Sequence, residues 1–91
     1  MATTVKVFSL FDYLEAALRL AVYEQDEGGL IIATVPECSG FLAQGENVED
    51  ARANLEDVVE GNILLALQLG WDIPPIPGVT IEERDVEARS A

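Results

Sequence analysis

The apolar and polar positions of this chain change period several times, and each change marks an element. Ser9-Leu10-Phe11-Asp12 has the form of a capping box: a hydroxyl for the free amides and an acid three residues on. Leu10, Leu14, Ala17 and Leu18 follow at helical spacing, predicting a short first helix within an amino-terminal extension over residues 1–19. The β-prone run Leu20 to Glu24 ends that helix and leads into the turn signal Asp26-Glu27-Gly28-Gly29, which predicts a hairpin. The second strand is Leu30 to Val35, a nearly continuous apolar stretch suited to burial on both faces and ended by Pro36. After a loop over Pro36-Glu37-Cys38-Ser39-Gly40, Phe41 to Gln44 reads as a short third strand of an antiparallel meander.

Asn47 then offers a side-chain cap, and Glu49 and Asp50 sit where carboxylates complement the exposed amides of a helix start. Val48, Ala51, Leu55, Val58, Val59, Asn62, Ile63, Ala66 and Leu67 share one face, opposite Glu49, Glu56 and Glu60, so the main helix is placed at about 47–69 with Gly70 as its left-handed end. Asn62 on that stripe is expected to bury its amide and satisfy it internally. Three prolines between Pro74 and Pro77 make the following segment a stiff, extended connector. Val79 to Ile81 is expected to form a last edge strand, completing a core over 20–81, and the polar residues 82–91 are expected to fray. The expected fold class is α+β: a β-β-β-α-β unit whose three- to four-stranded, mainly antiparallel sheet is packed by one long helix, in a single domain spanning 1–91.

Charge narrows the choice of partner. Seventeen acidic residues against five basic ones give a net charge of −12, which repels phosphates and anionic membranes and favours a basic protein. No apolar run approaches the ~20 residues of a membrane span. The single cysteine, Cys38, rules out an intramolecular disulfide, and with no histidine a zinc site is not expected. A lone thiol and an opening without a secretory layout predict a cytoplasmic protein.

The same inventory argues against an enzyme. No histidine is present to activate Cys38, and the adjacent Glu37 disfavours a thiolate. Asp26, Glu37, Glu49 and Asp50 are the acids that a two-metal nuclease would need, but a hairpin tip and a helix start favour acids for structural reasons alone. No catalytic residue, metal or cofactor is expected. For binding, acids beside an apolar anchor are the better candidates, since charge steers and desolvated aromatics hold. The residues selected on that ground are Tyr23, Asp26, Glu27, Glu37, Glu46 and Trp71.

The order of motifs from Leu20 to Ile76 resembles the HicB family of antitoxins. The residues carrying the resemblance are Asp26 to Gly29, Val35-Pro36-Glu37, Gly40, the Gly-x-Asn-x-x-Asp-Ala of Gly45 to Ala51, Asn54-Leu55, and the helix exit from Gly70 to Pro74. The resemblance implies a truncated ribonuclease-H-like fold and a partner, HicA, a small basic toxin that cleaves messenger RNA and is neutralised when its active site is covered. Many relatives add a carboxy-terminal DNA-binding motif. Only a dozen residues follow Val79 here, and on balance they are acidic, so direct DNA binding is not expected.

Three departures stand out. Ser39-Gly40-Phe41 replaces a usual Pro-Gly-Cys, Asn47 replaces a capping threonine, and a capped helix precedes the first strand. If that helix covered the surface a toxin uses, the chain would be an orphan acidic module acting in self-assembly or another protein contact. A core this small also favours a homodimer or higher homo-oligomer.

Overall fold

The computed structural model describes residues 2–36 and 38–87. Seven elements follow in chain order: β1 (Ala2–Val7), α1 (Leu10–Leu20), β2 (Val22–Gln25), β3 (Ile31–Val35), β4 (Cys38–Gly45), α2 (Val48–Leu69) and β5 (Glu82–Glu87). The α+β class and the single long helix agree with expectation. The main sheet has three antiparallel strands in the order β2-β3-β4, and β1 and β5 form a separate antiparallel ribbon.

Both helix starts form by the predicted chemistry. Ser9 Oγ accepts the Asp12 amide at 3.1 Å, and Asn47 Oδ1 accepts the Asp50 amide at 2.8 Å. At the far end of α2, Gly70 adopts φ 71° and donates its N–H to the Ala66 carbonyl, as a glycine end cap should.

Both helices lie on one face of the main sheet. Ala33, Val35 and Phe41 point into a core closed by Tyr13, Ala16, Ala17 and Leu18 of α1 and by Ala51, Leu55, Val59, Ile63 and Ala66 of α2. The four-residue spacing from Ala51 to Ile63 keeps these side chains on one stripe of α2. Tyr13 is the centre of this packing. Its ring meets Phe8 and Phe41 edge-on at centroid distances of 6.1 and 6.3 Å, and its hydroxyl donates to the Pro74 carbonyl. That bond ties the proline connector to α1, while Ile73 and Ile76 of the connector are themselves buried. Burial pushes the Tyr13 phenol well above the ordinary tyrosine range, with a smaller contribution from nearby Cys38.

The chain departs from expectation at both ends and at several points between. Leu20 closes α1 instead of opening a strand, because its half-buried side chain packs on the core from the helix. The third strand starts at Cys38, three residues before Phe41, since Cys38 pairs with Val35 across a register shift. Val79 to Ile81 are not a strand. The last strand is Glu82–Glu87, inside the segment expected to fray, and β1, its partner, was not anticipated. Residues 88–91 of the expected tail lie outside the described residues. Asn62 is exposed, not buried, and its Nδ2 donates to the Val58 carbonyl one turn back at 2.8 Å. Leu67 and Val48, assigned to the inner stripe, are also largely exposed.

Candidate functional site: the open face of the main sheet

Since both helices share one face, no described element covers the other face of the main sheet. Strand alternation decides what it displays. The register aligns Val22 with Thr34 and Leu42 in one cross-strand row, and Glu24 with Ile32 and Gln44 in the next. The intervening row, Tyr23, Ala33 and Ala43, belongs to the helical side. Leu42 is 54 % and Val22 43 % exposed, unusual for apolar strand residues. A shallow depression of about 260 Å³ lies over Ile32, Leu42, Ala43 and Gln44. The surface is therefore mixed: Val22, Ile32 and Leu42 run diagonally across it, with Thr34, Glu24 and Gln44 between and beside them, and among the described residues no further strand pairs with β2 or β4.

The candidate acids gather at one end of that face. Gln25, Ile31 and Gly45 pair across the sheet, so the hairpin tip carrying Asp26 and Glu27 lies at the same end as Glu46. Glu27 and Glu46 are exposed. Asp26 has structural work as well. Its Oδ1 accepts the Leu30 amide at 2.9 Å, its own amide donates to the Leu30 carbonyl at 2.8 Å, and its carbonyl accepts from Gly29, which turns with φ 88°.

The other candidates are not part of this cluster. Tyr23 faces the core, and its hydroxyl is buried without a hydrogen-bond partner among the described residues. Trp71 is at the opposite end of α2, 57 % exposed, beside a cleft of about 270 Å³ that also involves Cys38, Phe41 and Asn62. Its carbonyl accepts from Lys6 Nζ at 2.8 Å. Glu37 lies outside the described residues. Sequence reasoning missed Leu42 and Val22. Their signal was the meander's own alternation, which assigns them to the face away from α2 once α2 is placed.

The helix-opening motif receives a physical explanation from the packing. A Cβ on Gly45 would come within 2.7 Å of the Asp50 carbonyl carbon and 2.8 Å of its Cβ, so only glycine lets β4 run this close to α2. Asn47 caps, Ala51 is fully buried against the sheet, and Asn54 Nδ2 donates to the Gln44 carbonyl at 2.7 Å. Gly45, Asn47, Ala51 and Asn54 thus form one joint between strand and helix. A family model described as UPF0150-like matches residues 12–75, a span that contains this joint and the whole main sheet. The chain belongs to the UPF0150-like family. The crystal structure of TTHA0281 from Thermus thermophilus is similar, with 31% sequence identity and a TM-score of 0.67, covering 72% of this chain and 88% of that one. No curated protein matches the chain.

The matched span begins at Asp12, after the β1 strand, so the ribbon falls outside it. Among the described residues, no group of three or more acidic or sulfur side chains is placed to hold a metal ion. No described helix is long and apolar enough to cross a membrane.

Proposed function

We propose that this UPF0150-like protein is a HicB-type antitoxin, which binds a small basic HicA-like ribonuclease and neutralises it by covering its active site. The observation that carries this reading is the open sheet face: an exposed diagonal of Val22, Ile32 and Leu42 set among Thr34, Glu24 and Gln44, and ending at Asp26, Glu27 and Glu46. Exposed apolar side chains with acids at their border suit a basic partner, with the acids steering approach and the apolar groups supplying contact area. The position of α1 also favours it. The helix that could have masked a binding face packs beside α2, on the side of the sheet already covered. The role is that of a binding partner without chemistry of its own.

The test is co-expression with the small basic protein encoded beside the gene. Rescue of growth, with a complex that co-purifies at ordinary salt, is the expected result. Leu42→Glu should abolish rescue while leaving the chain folded, because Leu42 is outside the core. A HicA-like neighbour that neither binds nor is neutralised would overturn the reading and leave an orphan module.

A further inference from the structure

The carboxy-terminal half of α2 carries more exposed apolar surface than its place in the fold requires. Leu64, Leu65, Leu67 and Leu69 are each between 44% and 52% exposed, and Trp71 follows them at 57%. From Gly61 to Trp71 no residue is charged, in a chain where 24% of residues are. The exposed face of the first half of α2 is different: Arg52, Asn54, Glu56 and Asp57 cover it. The change from polar to apolar begins at Gly61, whose Cβ position meets nothing within 4 Å. An exposed glycine in mid-helix lowers helix stability relative to alanine. A second backbone crossing closely at that point would account for it.

We propose that this face is a self-association surface, on which α2 of a second copy of this chain packs across Gly61, Leu64 and Leu65, with Leu67 and Trp71 closing the contact. Charge selects a second copy. Two chains of −12 repel, and they can meet stably only where neither brings carboxylates to the interface, as over Gly61 to Trp71. A basic partner would instead gain from acids within the patch, and there are none. Size agrees as well. The exposed side chains amount to roughly 500 Å² per copy, in the range where apolar patches are functional. Two such faces would bury roughly 1,000 Å², the lower limit for a specific interface.

The ribbon extends the surface. Val5 and Lys6 of β1 and Glu83 of β5 line a cavity of about 630 Å³ with Ala66, Leu67 and Gly70, so the ribbon borders the leucines and brings one charge of each sign to their edge, with no net addition to the repulsion. A two-stranded ribbon is marginal alone in water. Among the described residues it makes broad contact with no other element, and Lys6 ties it to the segment after α2 by donating to the Trp71 carbonyl at 2.8 Å. Side chains of a second copy entering that cavity would give it packing it lacks within one chain.

Analytical ultracentrifugation of the full chain across a concentration series tests this. A species of twice 9.8 kDa is expected. The double variant Leu64→Glu/Leu67→Glu, at exposed positions and checked for folding by circular dichroism, should weaken association by at least a hundredfold. Leu42→Glu on the open sheet face should leave association intact. In a separate measurement that leaves Gly61 in place, Leu64→Cys should cross-link two copies under mild oxidation, and Glu27→Cys should not. A wild-type chain that stays monomeric to several hundred micromolar would overturn the proposal, as would a dimer that survives the double variant or is broken by Leu42→Glu. The toxin-binding reading rests on the other side of the sheet and stands or falls separately.

Discussion

Tyr13 offers the sharpest test of how the amino-terminal helix is held. It is fully buried, contacts two phenyl rings edge-on, and donates its hydroxyl to the Pro74 carbonyl. Tyr13→Phe keeps the ring contacts and removes only the donor, leaving a carbonyl without its partner, a change worth about 1–2 kcal/mol. In a domain of this size that lowers Tm by roughly 5–15 °C. Tyr13→Ala also opens a cavity and should cost about 3–5 kcal/mol, a large part of the whole stability of a small domain. Urea unfolding should give a lower midpoint with an unchanged slope for Tyr13→Phe. The raised phenol adds a pH signature. Above pH ~10 the unfolded tyrosine ionises while the native one keeps its proton, so the unfolded state binds fewer protons and stability falls as pH rises. Wild type should lose about 1.4 kcal/mol by pH 11 from this source, and Tyr13→Phe none. The gap between the two proteins should therefore nearly close at pH 11. Equal stability at pH 7, or a gap that stays constant to pH 11, would refute the burial and bonding assigned to Tyr13.

The joint between β4 and α2 yields two further predictions. Gly45→Ala forces strand and helix apart and should destabilise by about 1–3 kcal/mol, measured by urea titration; no effect would mean that the close approach at Asp50 is not real. Asn54→Ala removes the bond to the Gln44 carbonyl on an exposed edge and should cost about 0.5–1.5 kcal/mol, with faster amide exchange along β4 as the local readout.

The two helices and the main sheet were legible because each rests on local chemistry. Ser9 and Asn47 cap as their side chains allow, Gly70 takes the left-handed turn, and Asp26 to Gly29 close the hairpin. The ribbon was not legible because it is not local. Thr3 to Val7 is β-branched and alternating, but a strand needs a partner, and the partner here is an acidic segment some 80 residues away whose composition suggests fraying. The helical stripe misled in a different way. Apolar positions at Leu67 and Val48 fit the 3.6-residue period, and periodicity cannot tell an inner leucine from an outer one where the whole helix end is apolar. Asp26, Glu27 and Glu46 were placed on loops from the sequence because turn residues are recognisable. The open face was missed because it is defined by which side both helices occupy, a property of packing that no single motif encodes.

The two proposed surfaces differ in the force that would hold a partner, and that difference can be measured in one protein. Contact through Gly61 to Trp71 is uncharged and works against the mutual repulsion of two chains of −12, so added salt screens the repulsion and tightens it. Contact at the open sheet face draws a basic partner toward Glu24, Asp26, Glu27 and Glu46, so added salt weakens it. Raising ionic strength from about 0.1 M to about 1 M shortens the screening length from about 10 Å to about 3 Å. Self-association measured by ultracentrifugation should strengthen over that range while toxin affinity measured by calorimetry declines. If both respond with the same sign, the assignment of apolar contact to the helix end and charge-steered contact to the sheet is wrong for one of them. Leu42→Glu and Leu64→Glu/Leu67→Glu then identify which, since each variant alters only one surface.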